Sequence, residues 1–424
     1  MTLQESVPLN ASDMPLSTAG AQVLKNGLSS SPSDIDPSQL TITLATALKQ
    51  LPDPETLVFG EVMTDHMLYM DFAPERGWSS PQIKPYGPLS LDPACSCFQY
   101  CPSVFEGMKA YLGPDGTPRL FRPQLNMERM ARSAERVALP LFDADTLLIL
   151  IRRLVAIEAR WIPRARGCSL YIRPTLIGTR PSLGVSASTH AALYVILSPT
   201  GPYIRDPNGK GLSLLAMSDQ IRAWPGGTGG FKLGLNYAAG FPAQRIAAAL
   251  GYQQMLWILG ETVAEAGAMN VFAVFERPDG ELDVVTPPLD GTILPGVTRA
   301  SVLALLSYQP PTAALPQLSA HARIRTAERA LTMSELFAAS ATGTLREVFC
   351  VGTAAVVIPV TRIGWRRPPP GAKDGSEPEV VDIVLPAAGE QGSLAQALWQ
   401  RLVDIQEGRV EWEGWGVTCG TPDA

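Results

Sequence analysis

The 424-residue sequence predicts an α+β protein of two domains in which antiparallel strands are prominent. Three observations carry that expectation. Short apolar strands recur with tight turns between them. Amphipathic helices interrupt them without the regular strand–helix alternation of a parallel sheet. One stretch crowded with proline and glycine divides the chain near its middle. At 46% hydrophobic residues, a chain this long can bury large cores.

Residues 1 to 38 are rich in Ser, Pro and Asp, as in Ser29-Ser30-Ser31-Pro32-Ser33-Asp34, and lack an apolar period, so they read as a mobile leader. A smaller N-terminal domain follows over 39–200. Strands begin near Thr64, and Met108–Leu112 with Arg119–Phe121 flank Pro114-Asp115-Gly116, a hairpin signal. Asn126 is expected to cap a helix over Met127–Val137, and Asp145 another running to Trp161, which Pro163 stops. Strands are expected at Ser169–Arg173 and Ala192–Leu197. Pro199, Gly201, Pro202, Pro207, Gly209 and Gly211 then mark an interdomain loop over 201–212.

A larger domain, 213–424, opens with strand Ser213–Met217, helix Pro242–Leu250 ended by Gly251, and strand Gln253–Leu259. A second hairpin joins Val271–Phe275 to Leu282–Val285 about Pro278-Asp279-Gly280. Helices over Thr298–Ser307, Met333–Ala339 and Leu394–Gln406 and a strand at Ala354–Val360 complete it, while Arg366 to Glu377 reads as a surface loop insertion.

Composition narrows the function classes. A net charge of -6, from 34 basic and 40 acidic residues without a long run of one sign, offers no footprint for nucleic acid or a membrane surface. The longest apolar candidate, Thr146 to Ile157, is too short to span a bilayer and contains Arg152 and Arg153. The first arginine is Arg76, and the preceding acids oppose a transit peptide, so a cytosolic location is expected. Cys95, Cys97, Cys101, Cys168, Cys350 and Cys419 form no disulfide pattern, and with three histidines in all they read as core packing rather than a metal site. Gly226-Gly227-Thr228-Gly229-Gly230 lacks the ending of a P-loop and reads as an active-site loop.

Seven separated motifs then point one way: CPSVFEGMKA from Cys101, LFRPQLNMERM from Leu120, SLYIRPTLIG from Ser169, FKLGLNYA from Phe231, AEAGAMNVF from Ala264, LDGTILPGVTR from Leu289 and EVFCVGT from Glu347. In that order and spacing the chain resembles the branched-chain aminotransferases, fold-type IV enzymes that use pyridoxal 5'-phosphate. The resemblance covers nearly everything from Phe59 to Trp412. It implies a small N-terminal α/β domain, a large C-terminal domain with a barrel-like core, and a homodimer. The substrates it implies are amino acids and 2-oxo acids: branched-chain L-amino acids exchange their amino group with 2-oxoglutarate.

Chemistry explains the residue types. A transaminase holds its aldehyde cofactor on a lysine amine, which is then free to move a proton. Lys232 matches that lysine; an isolated lysine is ordinarily a solvated charge, but apolar Phe231 and Leu233 flank this one. The resemblance makes Glu265 the carboxylate beside the pyridine nitrogen, with Glu261 as the bland alternative, and Tyr237 the phenol near the cofactor's O3'. It assigns the phosphate to Arg129, the Val297 and Thr298 amides and the Thr353 hydroxyl. It also assigns substrate contacts to Tyr100, Phe105, Tyr203, Val185 and Ala354, with Leu183 and Val185 coming from a partner subunit. Tyr171 and Arg173, two apart on a strand, share a face and match the pair that receives the glutamate side-chain carboxylate.

Three features depart from the family pattern. Leu235 stands for a glycine after the lysine loop, and Ala268 for a threonine hydroxyl; both are expected to touch the site. Ala355 and Ile358 occupy the places of a redox cysteine pair. Altered specificity and a non-catalytic binding homologue are the alternatives, the latter opposed by Lys232, Glu265, Tyr237 and Arg129 together.

Overall fold

Long apolar runs in this chain become central strands of two sheets, and the polar, turn-rich segments link them. The computed structural model describes residues 34–201, 211–308, 310–317, 323–367, 369, 378–385 and 393–420. The leader to residue 33, Tyr203 and most of the insertion before Glu377 lie outside the described residues.

The first sheet has ten strands. Its spine runs Thr41–Ile42, Gln82–Pro85, His66–Ala73, Ala191–Thr200, Ser169–Gly178, Met108–Leu112, Pro118–Phe121 and Gly416–Thr418, with Gly77–Trp78 and Ser103–Phe105 pairing off the path. The chain's last described strand thus returns to the N-terminal sheet, so the larger expected domain is not self-contained in sequence. Ser169–Gly178 is buried almost throughout because strands flank it and helices cover it.

The second sheet has nine strands and closes on itself. Thr262–Ala266, Gln254–Leu259, Leu212–Met217, Val356–Arg367, Leu345–Gly352 and Met269–Glu276 form a ring of six, shut by the pairing of Glu265 with Asn270. Closure removes unpaired edges and leaves the ends of strands to carry chemistry. Leu282–Thr286, Ile324–Glu328 and Glu379–Val384 extend it.

Helices Pro123–Arg136 and Ala144–Ile157 join the first core through Met127, Met130, Leu147, Ile151 and Leu154. Both caps differ from expectation. Asp143, not Asp145, accepts from the Thr146 amide at 2.7 Å. The earlier helix starts at Pro123, which lacks the donor that a first turn leaves unused, so Asn126 sits inside the helix and turns its amide to Glu106. The final strand of the barrel begins at Val356, not Ala354, because residues 353–355 form a turn ending in a left-handed Val356 with φ 63°. Leu394–Gln406 forms as expected, capped by Ser393.

Candidate active site

Lys232 is held by its backbone before its side chain matters. Asn236 donates to the carbonyls of Thr228 and Phe231, at 2.9 Å each, tightening the glycine loop around it. The Lys232 amide donates to Ser133 Oγ at 3.0 Å, and its carbonyl accepts from the Phe105 amide at 3.2 Å. Ser133 lies on helix Pro123–Arg136 and Phe105 on a strand of the first sheet, and Phe231 and Leu233 beside the lysine pack into that same core. The amine opens on a cavity of about 440 Å³ between the two sheets. There it donates to Tyr237 Oη at 3.4 Å and lies 4.9 Å from the centroid of Phe105. Burial lowers its pKa, the charge of Arg129 adds to that, and Glu106 opposes it. A lowered pKa leaves more of the amine neutral, the form that attacks an aldehyde.

At one end of the cavity, helix Pro123–Arg136 presents Arg129. Its guanidinium is clamped by Glu106, with Nε to Oε1 at 2.7 Å and Nη2 to Oε2 at 2.8 Å, and Nη1 donates to the Pro295 carbonyl at 3.0 Å. Beside it begins helix Val297–Ser307, whose first amides, from Val297 and Thr298, have no partner within the helix and favour an anion. Gly296 precedes them because a Cβ there would lie 2.1 Å from Asn270 Oδ1.

Glu265 lies on a barrel strand and is 2% exposed. Its Oε1 accepts from the Leu294 amide at 2.7 Å and from Asn270 at 3.2 Å, while Oε2 faces Arg222 at 3.1 Å. Burial raises its pKa, and Arg222 with the Leu294 amide works against that rise. Burial likewise pushes Tyr237 up to about 12, so its phenol stays protonated. On the opposite wall Arg173 Nη2 donates to Tyr171 Oη at 3.2 Å and stacks 4.8 Å from the Phe105 ring.

The cavity therefore brings together Lys232, Arg129, Tyr237, Glu265, Val297, Thr298, Thr353, Phe105, Tyr171, Arg173 and Ala354. Tyr100 and Val185 are not among its lining residues. Tyr100 ends the short helix Ser96–Tyr100 and donates to the Leu183 carbonyl, and at 43% and 84% exposure Tyr100 and Val185 lie on the surface. Leu235 does not line the cavity either: it starts the helix Leu235–Ala238 and faces outward, so its expected bulk in the site is not there. Ala268 does line it. Cys101 is exposed, unlike the core cysteines expected, because a left-handed φ of 57° turns the chain outward at the helix end.

Sequence reasoning missed Glu106, Arg222 and Lys109. Glu106 and Lys109 sit within the quoted CPSVFEGMKA run, where charges among largely apolar residues were the available signal. Arg222, next to the glycine loop, offered none beyond proximity.

The family model Amino-transferase class IV matches residues 103–363. The chain belongs to that family. It is 44% identical over 374 residues to the cytosolic branched-chain-amino-acid aminotransferase of Mus musculus, covering 88% of this chain and 90% of that one. To the mitochondrial enzyme of the same name from Schizosaccharomyces pombe it is 43% identical over 388 residues, covering 91% and 86%. It shares the fold of the branched-chain amino acid aminotransferase of Thermobaculum terrenum in its PLP-bound holo form, with TM-score 0.59, 20% identity, and coverage of 84% of this chain and 99% of that one. Pyridoxal 5'-phosphate is the cofactor of the class IV aminotransferases, and this cavity suits it. An amine with a lowered pKa, a buried carboxylate and a helix N-terminus beside a clamped arginine supply the donors and charges that its aldehyde, ring nitrogen and phosphate require.

Proposed function

We propose that the chain catalyses reversible amino-group transfer between L-leucine, L-isoleucine or L-valine and 2-oxoglutarate. The observation that carries the reading is a single cavity that joins Lys232 and Glu265 to both an aromatic wall and the Tyr171–Arg173 pair. Phe105, Phe59 and Tyr171 receive an aliphatic side chain without hydrogen-bond demands, whereas Arg173 meets the second carboxylate of glutamate.

Bound pyridoxal phosphate supplies the aldehyde that carries the amino group and the ring that accepts electrons. The protein's part is positioning and proton movement. Arg129 and the Val297 and Thr298 amides hold the phosphate. Glu265, fixed from two sides, would stand beside the ring nitrogen and favour a proton on it. Lys232 would hold the aldehyde and its amine would move the proton at the substrate Cα, with Tyr237, 3.4 Å from Lys232 Nζ, orienting the lysine. Thr353 adds a hydroxyl to the phosphate site, and the Ala354 turn receives the substrate carboxylate; the amides of 353–355 donate to no described residue.

The exposed Leu183 and Val185 form part of the reading, as the patch by which each protomer of a homodimer completes its partner's pocket, and Tyr100 is kept as an apolar pocket residue. Among the described residues no helix is long and apolar enough to cross a membrane, and a cytosolic location, as named for the mouse relative, is proposed here too. Ala268 on the cavity wall favours a second reading, the same chemistry with altered specificity in a specialised biosynthetic pathway. Competition kinetics across branched, aromatic and bulky 2-oxo acids decide between them. The main reading predicts the highest kcat/KM for branched acids, and preference for an unbranched or aromatic acceptor overturns it.

A further inference from the structure

Lys109 is a buried charge that the chemistry above does not use. It lies on strand Met108–Leu112, two residues after Gly107 in the cavity wall, and is 5% exposed. Its ammonium donates to the Ala354 carbonyl at 2.8 Å, joining residues 245 apart and linking the first sheet to the barrel. Burial brings its pKa down to about 8, and no carboxylate among the described residues forms an ion pair with it. An unpaired buried cation is unfavourable unless something gains from it.

What it holds is the middle of the Thr353–Ala355 turn, all three residues of which line the cavity. In a trans peptide the carbonyl and the following amide point in opposite directions. Lys109 does not line the cavity, whereas Ala355 does. Fixing the Ala354 carbonyl on Lys109 therefore turns the Ala355 amide away from Lys109 and toward the cavity. A cation on the carbonyl also polarises the peptide and strengthens its amide as a donor. The left-handed Val356 that follows holds the turn at its other end.

We infer that Lys109 is a positioning residue that aims the Ala355 amide at the carboxylate of the amino-acid or oxo-acid substrate. This rests on the reading of the cavity as a transaminase site. The step involves no covalent change; Lys109 keeps its proton and orients a hydrogen-bond donor.

The test compares wild type, Lys109→Met and Lys109→Arg, each loaded with pyridoxal phosphate. The unreactive branched carboxylate 4-methylvalerate is titrated by calorimetry, alongside KM and kcat for L-leucine. Lys109→Met should raise both the carboxylate Kd and the leucine KM about tenfold, as expected for one misaimed hydrogen bond, and change kcat less. Its affinity for the cofactor should stay within about twofold of wild type, since nothing at the phosphate end has changed. Lys109→Arg keeps a donor and a charge and should recover most of the carboxylate affinity. Lys109→Met with wild-type Kd and KM overturns the inference, as does a loss in which cofactor and carboxylate binding fall together in both variants. A wild-type protein that takes up cofactor and binds no carboxylate overturns the transaminase reading, and the inference with it.

Discussion

Replacing Glu106 with alanine tests how the Arg129 end of the cavity is built. Glu106 is fully buried and accepts four hydrogen bonds: from Arg129 Nε at 2.7 Å, Arg129 Nη2 at 2.8 Å, Asn126 at 2.9 Å and the Gly107 amide at 3.0 Å. Burial alone would raise its pKa, but the Arg129 charge and hydrogen bonds outweigh burial and hold it below the usual carboxylate range. Alanine leaves Arg129, itself 6% exposed, without its counter-charge. Breaking one side of such a pair costs about 3–5 kcal/mol. For a folding unit of 150–250 residues each kcal/mol shifts Tm by about 2–4 °C, so the cofactor-free variant should melt roughly 6–20 °C below wild type. Pyridoxal phosphate gives the orphaned guanidinium a new anionic partner, so it should raise the variant's Tm by more than it raises that of wild type. The sign with pH follows. A depressed carboxylate stabilises above its unfolded pKa of about 4.3 and loses that contribution as pH falls through its folded pKa, so the two proteins should converge in acid. Calorimetry of both proteins, with and without cofactor, is the assay. A cofactor-free variant melting within about 2 °C of wild type at neutral pH would refute the reasoning.

Other consequences follow from the same geometry. Arg173→Met should weaken kcat/KM for 2-oxoglutarate about 10- to 100-fold and that for L-leucine far less, because a hydrogen bond to a charged group is lost for one substrate alone; steady-state kinetics with each substrate varied checks this. Tyr237→Phe, which removes the phenol 3.4 Å from Lys232 Nζ, should lower kcat about 2- to 10-fold and leave the fold intact by circular dichroism. Arg222→Met removes the cation that restrains the raised pKa of Glu265. A carboxyl raised on folding stabilises below its unfolded pKa and loses that stability as pH rises through its folded pKa. The cofactor-free variant should therefore lose more stability than wild type between about pH 4.3 and neutrality, as denaturant titrations would show.

Local chemistry was legible in the sequence, and contacts between distant segments were not. The hairpins about Asp115 and Asp279 and the helix Leu394–Gln406 follow from turn residues, caps and apolar period. Asp143 and Asp145 both suit a cap, and only the backbone course chooses Asp143. Lys232, Glu265 and Arg129 were reachable because each lies in a distinctive motif. The clamp of Glu106 on Arg129 and the reach of Lys109 to Ala354 depend on packing between elements, which no periodicity encodes. Leu235 looked intrusive next to the lysine loop, yet a short helix turns it outward. Barrel closure through Glu265 and Asn270 is likewise a tertiary event, and it sets the carboxylate where the cavity needs it.

In the proposed chemistry Lys232 carries the cofactor and yields it to branched-chain amino acids. Its most direct test is the visible-edge absorbance of the purified, cofactor-loaded protein during stepwise addition of L-leucine, with Lys232→Ala in parallel. The expected result is a lysine-bound absorbance band that L-leucine discharges and 2-oxoglutarate restores, and a Lys232→Ala protein that binds the cofactor without that band. A wild-type spectrum without the band, or one that L-leucine leaves unchanged, would contradict it.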